Sequence, residues 1–304
     1  MKEIIKVENL TKDYGNGKGV FNVSFEINEG EVFGFLGPNG AGKTTTIRHI
    51  LGFSKPQSGK IEINGLDCWV SYYKIAEDLG YLPGEIAFPD NMTGMQYIKY
   101  IASLRKMKDF TRARELIEMF KIDTSVLIKK MSRGMKQKIG IITAFMHNPK
   151  FLILDEPTSG LDPLMQNKFI DLVNDSKKKG ATILMSSHIF EEVEKTCDRI
   201  AIIRLGKIVS IITNNEIKHA KLKTFKVEFF DKADYQKFIL ENLSFSENRE
   251  GQKQARVQVE DENINEFLKI LVKYKVKFIS EIKHDLEDYF MTFYSNDIKE
   301  KKDV

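Results

Sequence analysis

Gly37-Pro38-Asn39-Gly40-Ala41-Gly42-Lys43-Thr44-Thr45 has the residue types and spacing to hold a phosphate, fitting G-x-x-x-x-G-K-[ST]. Its glycines let the backbone curl so that successive N–H groups point inward at a helix N-terminus, which favours negative charge. Lys43 is placed to reach the β- and γ-phosphates of a nucleotide and the Thr44 hydroxyl to bind Mg²⁺. Thr45, one step further into the helix, is within reach of the α-phosphate. A second set of groups stands far downstream, where Phe151-Leu152-Ile153-Leu154 runs into Asp155-Glu156. Adjacent carboxylates ending a buried strand are costly unless they meet a cation. Asp155 suits Mg²⁺ opposite Thr44, directly or through water, and Glu156 suits activation of an attacking water. His188 follows a third apolar run, Ala181-Thr182-Ile183-Leu184-Met185. A lone histidine is more often structural, but at the carboxyl end of a strand beside a phosphate site it reads as a donor to phosphate.

These groups need a sheet whose strands end at one edge. Val32-Phe33-Gly34-Phe35-Leu36 reads as a buried strand feeding the phosphate loop, and Thr46 to Leu51 as the start of a helix. Uninterrupted apolar strands of this kind belong to a parallel sheet covered on both faces, with ligands at the carboxyl ends. Residues 2–8 and 20–27 alternate apolar and polar side chains, as half-buried antiparallel strands do, and residues 60–63 read as another edge strand. Asn16-Gly17 marks a turn between the first two. Tyr14, beside that turn, is either a strand-end aromatic packed on a neighbour or a flat ring for a base to stack on. Residues 71–78 read as a helix and residues 79–83 as a short strand stopped by Pro83. From about 84 to 147 the apolar spacing is helical, which predicts a helical insert. Beyond about 215, strands at 224–229, 255–259 and 276–279 alternate with helices at 232–242 and 263–273. The chain therefore divides into an α/β domain, residues 1–214, and a small α+β domain, residues 215–304.

Composition narrows the class. The 304 residues suit about two domains. A hydrophobic fraction of 42% with 30% charge is that of a soluble globular protein. A net charge of +4 gives no electrostatic reason to expect nucleic acid. Cys68 and Cys197 lack metal-ligand spacing, which points to two ordinary thiols in a reducing compartment. The first residues, Met1-Lys2-Glu3-Ile4-Ile5-Lys6, carry charges where a signal peptide needs an apolar run, and no stretch approaches the roughly 18 apolar residues of a membrane span. A cytoplasmic location is expected.

Three further stretches make a resemblance specific. Lys130-Met131-Ser132-Arg133-Gly134-Met135-Lys136-Gln137 precedes the Asp155 strand, Ser159-Gly160-Leu161-Asp162 follows it, and Met185-Ser186-Ser187-His188 ends the next. Together with the phosphate loop, in this order and spacing, they resemble the nucleotide-binding subunit of an ATP-binding cassette transporter over residues 3–210. The resemblance implies a P-loop ATPase cassette with a mixed sheet core, an antiparallel edge subdomain and a helical insert, using ATP and Mg²⁺. It also implies a head-to-tail dimer with a second copy or a paralogous cassette, and separate integral membrane permease subunits that hold the cassettes at the inner face of the membrane. Ser132 and Gly134 match the signature loop that contacts the γ-phosphate held by the other subunit. Asp162 matches the acid that crosses the dimer interface, His188 the switch histidine and Tyr14 the adenine-stacking aromatic. Ser132 is also a plain helix N-cap by position.

Two positions depart from the family pattern. Arg133 stands where the signature has glycine, either crowding the loop or offering a charge to phosphate. Gly84-Glu85 follows Tyr81-Leu82-Pro83 where a glutamine is usual, so either Glu85 or water takes the amide's place near Mg²⁺. Ile86, Phe88 and Met92 are expected as exposed apolar contacts for the permease, with a small core patch as the other reading. Asp285-Leu286-Glu287-Asp288-Tyr289-Phe290 resembles the end of ATPases that serve drug- and peptide-exporting permeases, including the bacitracin-resistance type. The rival reading is a soluble cassette ATPase acting on ribosomes or nucleic-acid complexes; such proteins carry two cassettes or long coiled coils, and neither appears in this sequence.

Overall fold

The computed structural model describes residues 2–218, 222–282 and 286–293. The chain forms two compact units, Met1–Asn214 and Asn215–Val304. In chain order the first unit opens with β1 (Glu3–Asp13), β2 (Gly19–Asn28), β3 (Val32–Leu36), α1 (Lys43–Ile50), β4 (Ser58–Ile63), β5 (Leu66–Asp67), α2 (Tyr72–Ile75) and β6 (Leu79–Leu82). Then come α3 (Gly94–Leu104), α4 (Thr111–Met119) and α5 (Arg133–Phe145), followed by β7 (Phe151–Asp155), α6 (Pro163–Lys178), β8 (Thr182–Ser187), α7 (Phe190–Thr196), β9 (Arg199–Arg204) and β10 (Lys207–Thr213).

Two sheets result. The six-stranded one has the order β10-β9-β3-β8-β7-β6. Strands β9, β3, β8, β7 and β6 run parallel, and β10 is an antiparallel edge joined to β9 through the Leu205-Gly206 turn. Every residue of β3, β7 and β8 is buried, which explains their continuous apolar runs. The second sheet, β2-β1-β4-β5, is antiparallel throughout. Its inward residues, among them Val7, Val23, Phe25, Ile27 and Ile61, share one core with Phe33 and Phe35 of β3 and Ile47 and Ile50 of α1. Phe25 stacks on Phe33 at 5.2 Å between ring centroids. The helix that leaves the phosphate loop is thus anchored on its apolar side.

Some elements depart from the sequence expectation. Residues 60–63 lie in an interior strand, because the two-residue β5 pairs with β4 through Glu62 and Asp67. The helix expected over 71–78 is only four residues long; Ile75 alone is buried, while Tyr72 and Tyr73 are more than half exposed, so little packing supports it. Ile86, Phe88 and Met92 are half-buried rather than free: Ile86 packs on Gly140 of α5 and the Phe88 ring meets Tyr97 of α3 at 4.9 Å. Helix α3 starts at a capping box in which Thr93 and Gln96 bond each other's backbone N–H groups.

The second unit comprises α8 (Asn214–Lys218, which begins at the last residue of the first), β11 (Leu222–Phe229), α9 (Lys232–Phe238), β12 (Ser244–Arg249), β13 (Gln254–Glu260), α10 (Ile264–Leu271), β14 (Val276–Ile282) and α11 (Leu286–Thr292). Its antiparallel sheet, ordered β12-β13-β11-β14 with α9 and α10 as the crossovers, has the β-α-β-β-α-β arrangement of ferredoxin-like domains. Val227, Phe229, Tyr235, Phe238, Val257 and Phe267 form its core. Strand β12 was not legible: Ser-Phe-Ser-Glu-Asn-Arg has one apolar residue and lies at an exposed edge. Asp285 and the tail expected at Lys299–Val304 lie outside the described residues.

Candidate functional site

The phosphate loop spans Gly37 to Gly42 between β3 and α1. Gly42 has φ 110° and sits at the N-cap of α1, a backbone state that side chains with a Cβ rarely adopt. Gly37 is required for a different reason, since a Cβ there would lie 2.5 Å from the Ile203 carbonyl oxygen of β9. Ala41 is buried and its carbonyl accepts from the Gly206 N–H, tying the loop to the β9–β10 turn, whereas Pro38, Asn39 and Gly40 are exposed. The Lys43 ammonium, almost fully buried, donates to the Gly37 carbonyl at 2.6 Å and lies 3.0 Å from Glu156 Oε1. Thr45 is half-buried, and its carbonyl meets His49 Nδ1 at 2.7 Å inside the helix.

The parallel register sets the downstream groups against this loop. Asp155 of β7 accepts from the Thr44 hydroxyl at 2.8 Å and from the Ser186 hydroxyl of β8 at 2.5 Å. Glu156 has φ 50°, an uncommon state for a residue with a side chain that is held here because its N–H donates to the Ser186 carbonyl and hydroxyl. Gln137 of α5 braces the same turn by donating to the Pro157 carbonyl at 2.7 Å. His188 Nδ1 contacts Glu156 Oε2, so the glutamate bridges the lysine and the histidine. All three strand ends open on a cleft of roughly 800 Å³ lined by Asn39, Thr44, Gly84, Glu85, Asp155, Glu156 and His188, with Arg48, Phe53, Tyr81 and Arg133 also on its walls. Burial, with the charge of Asp155 added, pushes the Tyr81 phenol up to about 12, so it remains an O–H donor. A Cβ on Gly84 would lie 3.4 Å from Asp155 Oδ2, which puts the departed glutamine position beside the metal-type carboxylate.

Ser132, Gly134, Asp162 and Tyr14 lie apart from that cleft. Ser132 caps α5 by accepting from the Met135 N–H at 3.2 Å, and Asp162 caps α6 by accepting from the Met165 N–H at 3.0 Å, with Pro163 at the first helical position. Gly134 faces the Gly160 carbonyl so closely that a Cβ would lie at 2.6 Å. Arg133 neither crowds its own loop nor reaches out free: its aliphatic part covers Gly160 and its guanidinium donates to the Ser159 hydroxyl at 2.5 Å. Tyr14 is 58% exposed with the Lys12 ammonium over its ring, so it is not packed as a strand-end core aromatic. Its turn ends at Gly19 and Val20, which border Gly42. Sequence reasoning missed Ser186, Gln137 and Tyr81. All three lay inside recognised stretches, but nothing in their types announced that Ser186 and Gln137 brace Asp155 and the turn at Glu156, or that Tyr81 lines the cleft.

A base, a histidine, an ammonium and a hydroxyl–carboxylate pair beside a curled glycine loop can hydrolyse a phosphoanhydride. A family model for ABC transporters matches residues 20–159. The bacitracin transport ATP-binding protein BcrA of Bacillus licheniformis is 37% identical over 76% of this chain and 76% of its own length. The chain belongs to the ABC transporter ATP-binding family. As an ATP-binding subunit of this family it is an ATPase. The uncharacterized ABC transporter ATP-binding protein MJ1023 of Methanocaldococcus jannaschii is 33% identical over 96% of this chain and 99% of its own length, so the likeness extends through the second unit. A solved ATP-binding subunit of an ABC transporter is 31% identical, with a TM-score of 0.66 over 71% of this chain and 92% of that one. The ABC transporter cassette MJ0796, solved as a dimer, shares the fold with a TM-score of 0.63 at 23% identity, over 69% of this chain and 99% of its own.

Proposed function

We propose that this ABC ATPase hydrolyses MgATP in the cleft at the carboxyl ends of β3, β7 and β8 and drives a separate membrane permease as an exporter. The observation that carries the reading is the joining of Lys43, Glu156 and His188 at the mouth of the phosphate loop, with Thr44 on Asp155. Gly37, Pro38, Asn39, Gly40, Ala41 and Gly42 would wrap the phosphates, with Thr45 at the α-phosphate, and Lys43 would exchange its loop carbonyls for phosphate oxygens. The Thr44 hydroxyl and the Asp155 carboxylate are hard oxygen donors of the kind Mg²⁺ takes alongside substrate phosphates, and Glu85 lines the same cleft. That ion, when bound, supplies charge neutralisation of the β- and γ-phosphates. Glu156 would take the proton of the attacking water, and His188 would hold Glu156 and the γ-phosphate together.

Ser132, Gly134 and Asp162 do not line the cleft of their own chain. That suits a head-to-tail pair, a second copy or a paralogous cassette, in which each signature loop completes the partner's site and Tyr14 stacks on adenine. ATP binds the closed pair better than the open one, and that differential affinity is what can do work on the permease. No helix among the described residues is long and apolar enough to cross a membrane, so a separate permease would hold the subunit at the inner membrane face. BcrA and the linearmycin resistance protein LnrL of Bacillus subtilis, 36% identical over 70% of both chains, favour export.

Glu156→Gln tests the reading. We expect it to keep ATP affinity while turnover falls by about 10² to 10⁴, the usual worth of general-base assistance. Trapped with MgATP and used as bait in detergent-solubilised membranes, it should retain a polytopic membrane protein. Near-normal turnover would remove Glu156 from its role, and recovery of ribosomal or nucleic-acid material alone would move the protein to a different ATPase class.

A further inference from the structure

Glu192, on the first turn of α7, is a buried carboxyl that the hydrolysis mechanism above does not use. Only 3% of its surface is exposed. Its Oε2 accepts from the Ser187 hydroxyl at 2.7 Å and from the Thr158 hydroxyl at 3.2 Å. Oε1 is buried and has no hydrogen-bond partner among the described residues. A carboxyl so enclosed with half its acceptors unused is expensive, and burial pushes it up to about 7 despite both hydroxyls. Such a group is worth asking a purpose of.

Its two partners sit on the two loops that matter. Thr158 lies two residues after Glu156, in the turn that leads to Ser159, Gly160 and Asp162. Ser187 lies one residue before His188, and its hydroxyl also accepts from the Ile189 N–H at 3.0 Å. Both residues are buried, at 2% and 1% exposure, close in the chain to the residues that make the Glu156–His188 contact. The strands beneath, β7 and β8, fix each loop at its start, but their ladder ends at Asp155 and Ser186, before Thr158 and His188. We propose that Glu192 is a positioning residue, bridging Thr158 and Ser187 so that Glu156 and His188 are held at the separation hydrolysis requires. The proposal rests on the roles given above to Glu156 and His188. One carboxylate oxygen with two hydroxyl donors acts as a staple: if the Thr158 loop moves, Ser187 feels it through a single atom.

The experiment is steady-state ATP hydrolysis with separate measurement of ATP affinity on the full-length protein. Variants are Glu192→Ala, Glu192→Gln, Thr158→Val and Ser187→Ala, with Glu156→Gln run in parallel and Glu191→Ala as an exposed neighbour outside the bridge. A glutamine carbonyl can accept both hydroxyls, so Glu192→Gln should keep kcat within about threefold. Glu192→Ala and Thr158→Val should lower kcat by roughly 10- to 100-fold with the KM for ATP little changed, since small misplacement of reacting groups costs that much. Ser187→Ala should do the same, and adding Thr158→Val to Glu192→Ala should lower kcat no further, because the bridge is already gone. Normal kcat in Glu192→Ala would overturn the proposal. So would equal loss in Glu192→Gln and Glu192→Ala, or a loss of kcat matched by weaker ATP binding and a lower Tm, which is the mark of a structural residue. If Glu192→Ala does not fold, Thr158→Val decides alone, and normal kcat in it overturns the bridge. Failure of the site itself shows differently: Glu156→Gln then keeps its turnover.

Discussion

Glu156 shows at the residue scale how backbone and chemistry are coupled. Its φ of 50° takes the chain off the β7 ladder and turns the side chain toward Lys43 and His188. Such a state costs on the order of 1–3 kcal/mol and persists only where neighbours hold it, here the carbonyl and hydroxyl oxygens of Ser186. Away from the cleft, His147 makes a separate prediction about pH. Burial first, and the charge of Arg105 second, lower it to about 4 from an ordinary 6.5, while Nε2 stays on the Leu79 carbonyl at 3.2 Å. Between those two values the unfolded chain binds a proton that the folded chain refuses, so stability is full above about 6.5 and falls as pH drops toward 4. Glu192 acts with the opposite sign, losing stability as pH rises toward 7, so the comparison must be internal. Urea unfolding of the wild type and His147→Asn across that range should show the variant losing less stability on acidification. Parallel curves would contradict the assignment.

At the scale of elements, the signature stretch and the turn after β7 behave as one interlocked piece. Gly134 gives room to the Gly160 carbonyl, Gly160 gives room to the Arg133 side chain, and Arg133 closes the contact on Ser159. Ser132, capping α5 just ahead of them, fixes where that helix starts. Gly134→Ala places a Cβ at 2.6 Å from backbone rather than from a side chain that can swing away. It should destabilise by about 1–3 kcal/mol, the range for overpacking, and depress ATP turnover beyond what that loss of fold accounts for. Ser132→Ala loses a cap, about 1 kcal/mol of stability, and any fall in its turnover beyond that belongs to the partner's site that Ser132 would complete. Denaturant unfolding with ATPase assays on both proteins checks the difference. Equal, small effects would mean that the two glycines are not in tight contact.

Each of the two units in the whole molecule has its own apolar centre. Phe25, Phe33, Phe35, Ile47 and Ile50 lie in the core of the first, and Val227, Phe229, Phe238, Val257 and Phe267 in that of the second. Every group assigned to phosphate, metal or water lies in Met1–Asn214. A protein ending at Asn214 should therefore fold cooperatively and bind ATP within about threefold of the full-length affinity, since removing a separately cored unit leaves the site's contacts intact. Thermal unfolding and nucleotide titration of the two lengths decide it. Loss of the folding transition would show that the first unit depends on the second.

The phosphate loop, the Asp155-Glu156 pair, His188 at a strand end and the capping Ser132 were legible in the sequence because each depends on local spacing, whereas the cap that Asp162 makes on α6 emerged only in the structure. A curled glycine loop, a strand that ends in carboxylates and an oxygen side chain ahead of a helix are short-range chemistry. Uninterrupted apolar runs likewise carried the class of the first unit, and strand alternation that of the second. What the sequence could not carry is what arises between segments remote along the chain. That β4 is interior rests on a two-residue partner, and that Ile86 and Phe88 are half-buried rests on α5 and α3. The purpose of Arg133 depends on Ser159, 26 residues away, and that of Ser186 on Asp155, 31 residues away. Glu192 looked like any acid on a charged helix until β7 and β8 brought Thr158 and Ser187 to its one bonded oxygen. Local periodicity fixes which face of an element is apolar, but only the register between strands decides which polar groups meet once those faces are buried.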